Sequence, residues 1–250
     1  MTMFGLFAKR PPITTIRLNS LERTGGRSHA IRPALLEGLL QAWRAAIGDL
    51  PSSFDIHGPY GIAKGQSIGL RAFESKLQRK GHDAYSGYSC WDEHKAGFNV
   101  SFFESPPYPT SFVEILFWFV STEVQADAKA IVSAMADVIP IDYGYVSELP
   151  GNLEPLSESP IKNGIFGSSV QIGTNELSQW NRKIHLAAEG RIRDIYPINF
   201  LNPKQIDSLR SFGEFEVEAI AERLYMLRID DVAHLARLKS RIQATSGFAG

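Results

Sequence analysis

The sequence predicts an α+β fold, a mostly antiparallel sheet with amphipathic helices packed against it. Three observations carry this reading. Residues 112–120 (FVEILFWFV) put aromatic and β-branched side chains on both faces of one extended run, the pattern of a central strand covered on both sides. Leu35, Leu36, Leu39, Leu40, Trp43 and Ile47 recur at the spacing of a single apolar helix face. Strands and helices follow one another without the regular β–α alternation of a doubly wound parallel sheet.

Residues 13–18 (ITTIRL) are rich in β-branched side chains and read as the first strand. Gly25 and Gly26 mark a loop over residues 20–28. A helix starts near Pro33, where a missing N–H is harmless in the first turn, and Pro51 breaks the chain after it. Residues 57–66 form a glycine-rich loop and 70–78 a short helix. Strands over 84–91 and 97–103 are separated from the 112–120 strand by the prolines of 105–109. Thr122 is expected to cap the next helix, with Glu123 in its first turn. Ala128, Ile131, Val132, Met135 and Val138 would be its buried stripe and Pro140 its stop. Residues 142–146 read as a strand, and 149–167, with Pro150, Pro155 and Pro160, as a long loop. Asn202-Pro203 opens a helix through Arg210. Residues 216–227 fit strand or helix, and Asp230 or Asp231 caps a last helix through Ile242. The 250 residues are read as one domain, with 149–167 as its candidate hinge.

Charge narrows the function classes. Lysine plus arginine number 26 and aspartate plus glutamate 27, a formal net charge of −1. A chain that neutralises phosphates carries a basic excess, so no direct nucleic-acid partner is expected. Cys90 is the single cysteine, so no internal disulfide forms. In residues 1–9 (MTMFGLFAK) the short apolar stretch precedes the basic pair Lys9 and Arg10, the reverse of a signal peptide. The apolar run at 112–120 is too short for a bilayer. A cytoplasmic address and no membrane partner are the expectations.

The candidate chemistry is sparse. Gly58, Gly61 and Gly65 invite a phosphate cradle, but Lys64-Gly65-Gln66 reverses the GK[ST] ending, and a plain glycine-rich turn is the better reading. Cys90 and His94 are spaced as a thiol–imidazole pair would be on a helix, yet this stretch reads as strand, and a buried inert cysteine is favoured. His29, His57, His82, His94, His185 and His234 show no zinc spacing, and neither metal nor cofactor is expected. Asp92 and Glu93, and likewise Glu216, Glu218 and Glu222, read as solvated charges rather than acid–base pairs. No catalytic residues are assigned and the chain is read as a non-enzyme. The alternative is a hydrolase or transferase assembling distant residues such as His57, Asp92 and His94.

Two features fit a protein partner instead. Residues 142–160 carry Asp142, Glu148, Glu154 and Glu158 with no lysine or arginine, so Glu148, Glu154 and Glu158 are candidates for steering a basic partner. All four tryptophans, Trp43, Trp91, Trp118 and Trp180, read most simply as core, with an interface role as the alternative for Trp91 and Trp180. Trp118 is placed buried in the central strand, with Phe117 and Phe119 on the opposite face. Trp91 and Trp180 sit beside polar residues and are candidate exposed interface anchors.

Residues 190–201 read GRIRDIYPINFL. Through Arg193, Asp194, Tyr196, Pro197, Asn199, Phe200 and Leu201, followed by Gln205, this stretch resembles bacterial immunity proteins of polymorphic-toxin and type VI secretion systems, and among them the immunity protein 52 family. The resemblance implies a cytosolic inhibitor that binds a cognate toxin, of a restriction-endonuclease-like nuclease class, and blocks it. It carries over no catalytic residue. The motif itself is read as structural, with Pro197 fixing the chain and Tyr196, Phe200 and Leu201 packing.

Overall fold

β1 (Ile13–Leu21) lies at the middle of a nine-stranded sheet, because its side chains are buried on both faces. The computed structural model describes residues 11–21, 28–59, 61–62, 66–92, 95–105, 108–164, 167–170 and 176–246. On one side β1 pairs with β5 (Phe112–Val120), and beyond it lie β4 (Ala96–Phe103), β3 (Gly87–Asp92) and β2 (Ser53–His57). On the other side it pairs with β6 (Tyr143–Leu149), then β10 (Ile198–Leu201), β12 (Leu224–Arg228) and β11 (Val217–Ala221). Every pairing is antiparallel, so the α+β expectation holds. Between β6 and β10 the chain adds a small sheet of β7 (Leu153–Glu154), β8 (Ser159–Gly164) and β9 (Gly167–Val170). This is the stretch read from sequence as loop; its strands are too short and too polar to show a period.

Strand alternation assigns each residue to a face. One face carries Ile16 and Leu18 of β1, Phe98 and Val100 of β4, and Ile115, Phe117 and Phe119 of β5. It packs on α1 (Ser28–Ile47) through Leu35, Leu39 and Trp43, on α2 (Leu70–Lys80) through Phe73 and Leu77, and on α3 (Ala128–Ala136) through Ile131, Val132 and Met135. Gly38 is where α1 and α3 approach: a Cβ there would sit 2.7 Å from the Val138 side chain. The other face carries Tyr143, Tyr145, Leu201 and Leu227. Its cover comes from α4 (Glu176–Lys183), the 3₁₀ turn Ile184–Glu189, α5 (Pro203–Arg210) and α6 (Val232–Ser246).

Several boundaries depart from expectation. α1 begins at Ser28, so Pro33 lies inside the helix rather than in its opening turn. α3 begins at Ala128, capped by Asp127, whose side chain accepts from the Ala130 N–H at 3.1 Å; Thr122 is in an earlier turn, because the chain after β5 closes back on the Val120 carbonyl, which accepts from the Glu123 and Val124 N–H groups. β2 and α4 have no counterpart among the elements expected from sequence. Residues 216–227 resolve as a β-hairpin. Asp231 caps α6, accepting from the Ala233 and His234 N–H groups. Gly25, Gly26, Gly65, Glu93 and His94 lie outside the described residues. Among the described residues, no helix is long and apolar enough to cross a membrane.

The late motif is folded inward. Tyr196 stacks on Tyr145 with centroids 4.1 Å apart, Phe200 and Leu201 are buried on opposite faces of the sheet, and Asn199 and Tyr196 bond to each other through side chain and backbone. Asn202 caps α5 in a reciprocal capping box with Gln205. Its amide also donates to the Asp142 and Ala187 carbonyls, both at 2.9 Å. Asn202→Ala removes the cap and the two buried bonds from its amide to the Asp142 and Ala187 carbonyls, so a loss of about 2–3 kcal/mol is expected. A urea midpoint equal to the parent's would contradict this account.

Candidate functional site

Among the described residues, the second face of the sheet is only half covered. α4, α5 and α6 pack over its β6–β10–β12 end, and over β2, β3, β4 and β5 a groove of about 790 Å³ remains. Strand register lays out its floor in rows. Trp91, Gly97 and Trp118 lie side by side across β3, β4 and β5. Asp55, Ser89 and Asn99 form the next row, and His57, Gly87 and Ser101 the one after. Pro11 and Ile13 line it on the β1 side, and Glu154, Pro155 and Leu156 form a wall. Trp91 and Trp118 are half-buried and Leu156 is 39% exposed. Gly97 is required here: a Cβ would lie 2.4 Å from the Trp118 ring, so the missing side chain lets the indole lie against the strand.

The wall is held by a buried charge cluster. Arg17 sits in β1 on this face, 1% exposed. Its Nη1 lies 2.8 Å from Glu114 Oε1, and its Nη2 donates to the Pro155 and Leu156 carbonyls at 2.7 and 3.1 Å. Glu158 closes the cluster: Oε1 accepts from the Tyr145 hydroxyl at 2.8 Å and lies 3.6 Å from Arg17 Nε, and Oε2 lies 3.4 Å from Arg193 Nη2. Arg193 also donates to the Tyr145 and Tyr196 hydroxyls. Burial pushes the Tyr196 phenol up to about 12. Burial alone would raise the Glu158 carboxyl, but Arg17 and Arg193 outweigh it and hold it below the usual carboxylate range. Glu158 takes φ 53°, a left-handed conformation unusual for a residue with a Cβ, and its two arginines hold it there.

On the groove floor, His57, Ser89 and Asp55 meet in a way that first looks catalytic. Ser89 Oγ is 3.0 Å from His57 Nε2, and Asp55 Oδ2 is 3.6 Å from that same nitrogen. A nucleophile relay needs serine and carboxylate on opposite ring nitrogens. Ser89 also donates its only proton to Asn99 Oδ1 at 2.8 Å, so His57 Nε2 acts as the donor to Ser89 rather than as its base. Burial lowers the His57 pKa against the pull of Asp55 and favours the neutral ring. The row is a hydrogen-bond chain from His57 through Ser89 and Asn99 to Ser101.

The sequence-chosen partner residues do not come together. Glu148 is exposed but points to the helix-covered face, since it lies opposite Thr14. Glu154 is on the groove wall, yet its carboxylate accepts from the Leu156 and Ser157 N–H groups and the Ser157 hydroxyl. Glu158 is a half-buried ion-pair partner and not a free surface charge, because the turn between β7 and β8 folds back over Arg17. Asp142 is buried, accepting from the Leu21 N–H. Trp180 is fully buried against Tyr143, so it is no exposed anchor: α4 turns it inward. Trp118 reverses in the other direction. It is the one position of β5 that is not buried, and it lines the groove, whereas Phe117 and Phe119 do face the helices. Trp91 is half-buried on the groove floor. Cys90 is buried and its thiol is pushed well up by burial. Among the described residues, no group of three or more His, Cys, Asp or Glu side chains is arranged to hold a metal ion. The groove did have a sequence signal: polar and aromatic residues alternate with apolar ones through Asp55, His57, Ser89, Trp91, Asn99 and Ser101.

No protein-family model matches the chain, and no curated protein matches it. A solved structure does resemble it. The Pseudomonas aeruginosa T6SS protein PA0821 shares the fold with a TM-score of 0.51 at 8% sequence identity, over 95% of this chain and 73% of that chain. At that identity the likeness is one of fold, and the groove residues described above are properties of this chain.

The charge cluster has a pH signature. With the folded pKa of Glu158 below its ordinary 4.5, its stabilisation is present above about pH 4.5 and is lost as pH falls through the lower folded value. Glu158→Gln leaves Arg17 and Arg193 short of a countercharge and is expected to cost about 3–5 kcal/mol at neutral pH. Thermal melts should show the gap between parent and variant narrowing below about pH 4. A gap independent of pH would remove the ion pairs from this account.

Proposed function

We propose that this chain is an immunity protein that binds a cognate toxin, a nuclease effector of a type VI secretion system, in the cytoplasm and blocks its active site. The observation that carries the reading is the groove. It is concave, it presents two half-buried tryptophans of the kind that anchor interfaces, and its lining includes Asp55 and Glu154 but, among the described residues, no lysine or arginine. A nuclease cleft, built to approach phosphates, is basic and complementary to such a lining. The fold likeness to a T6SS protein and the resemblance of residues 190–201 to immunity proteins support the same reading. An inhibitor needs a rigid surface rather than a reactive one, and the rows of β2 to β5 supply it.

The contact between Ser89 and His57 favours a second reading, a hydrolase whose nucleophile is rearranged on binding substrate. Capture on the tagged chain from its native host, followed by titration of the captured protein against a DNA and an RNA substrate, separates the two. The immunity reading expects a captured nuclease whose activity vanishes at one equivalent of this chain, with Ser89→Ala inhibiting as well as the parent. A captured nuclease that stays active at saturation overturns it. Loss of inhibition in a normally folded Ser89→Ala moves the weight to the hydrolase.

A further inference from the structure

We infer that the groove receives an arginine side chain of the bound partner, its guanidinium stacked on the Trp91–Trp118 row and hydrogen-bonded to Asp55. This deepens the reading of the groove as the partner surface and rests on it. The two acidic groups on the groove differ in availability. Glu154 is fully engaged by its own turn. Asp55 uses Oδ1 to accept from the Ile56 N–H at 2.7 Å, while among the described residues Oδ2 has only His57 Nε2 at 3.6 Å, beyond a hydrogen bond. With its side chain 22% exposed, Asp55 keeps an acceptor oxygen aimed at the groove. Asp55 lies opposite Ser89, two positions from Trp91 on the same face, within reach of one planar group.

The occupant follows from these neighbours. An anion would meet Asp55 unscreened. A purely apolar side chain would cover Asp55 Oδ2 without pairing it, which is costly. A lysine ammonium is a strongly hydrated point charge, poorly matched to a surface that is mostly indole, Ile13 and Leu156. A guanidinium is planar, weakly hydrated, stacks on indole and offers donors along its edge, and charge-assisted bonds to a carboxylate are the strong ones. Gly97 contributes by leaving room for the Trp118 indole over β4, in the same row as Trp91.

The probe is the peptide acetyl-Gly-Arg-Gly-amide, compared with the same peptide carrying citrulline, which is nearly isosteric and neutral. The readout is the indole N–H signals of the ¹⁵N-labelled full chain, assigned with Trp91→Phe and Trp118→Phe. The arginine peptide should shift the Trp91 and Trp118 signals saturably. The citrulline peptide should bind at least about tenfold more weakly, and Asp55→Asn should weaken the arginine peptide about tenfold without lowering the melting temperature. Equal binding of the two peptides, an unchanged affinity in Asp55→Asn, or no shift at the solubility limit of the arginine peptide overturns the inference. A second arm uses the captured partner with Asp55→Lys. If that variant binds the partner as tightly as the parent, the groove assignment fails while the immunity reading stands. If no toxin is captured but the arginine peptide binds as described, the immunity reading fails and the groove assignment stands.

Discussion

A single guanidinium, that of Arg17, lies buried at the centre of the sheet, and much of the second face is organised around neutralising it. An isolated charge at that depth would cost several kcal/mol. Glu114 from the adjacent strand supplies one carboxylate. Glu158 supplies the other, and to reach it the chain after β6 folds back across the sheet, offering the Pro155 and Leu156 carbonyls on the way. The second carboxylate oxygen of Glu158 then calls for Arg193, which brings in the Tyr145 and Tyr196 hydroxyls and fixes the late motif against β6. The unusual backbone at Glu158 is the local cost of this arrangement.

The same fold-back creates the site. Residues 153–160 cover Arg17, and among the described residues the sheet beyond them stays open over β2 to β5. Their outer edge, Glu154 to Leu156, is one wall of the groove, and the rows of β3, β4 and β5 are its floor. Structure and surface are coupled here through one residue: whatever loosens the Arg17–Glu158 contact also loosens the groove wall. A binding surface made from paired strands and a clamped segment is preorganised, and little ordering entropy is lost when a partner docks on it.

The likeness to the T6SS protein fits this division of labour. At 8% identity what the two chains hold in common is the fold, which many side chains can satisfy. A partner surface is free to change on such a frame, and function is carried by the site grafted on it.

The sequence by itself determined the elements whose neighbours in the chain are enough to specify them. The apolar stripe of α1, the aromatic run of β5 and the Asn202-Pro203 start of α5 each announce themselves within one or two turns or pleats, and each of these elements is present. It also determined that Cys90 sits in a strand where a thiol is buried. Only the tertiary structure decided the fate of the charges and tryptophans. Glu148, Glu154 and Glu158 are close in sequence but end on one helix-covered face, in one self-satisfied turn and in one buried ion pair, because strand alternation and the fold-back send them apart. Trp118 and Trp180 exchange the roles their neighbours suggested, since exposure depends on which elements cover a face and not on local polarity. The groove was half legible, in the alternation of Ser89, Trp91, Asn99 and Ser101, but the row that joins Trp91 to Trp118 is a matter of register between strands, which is set by packing across the sheet.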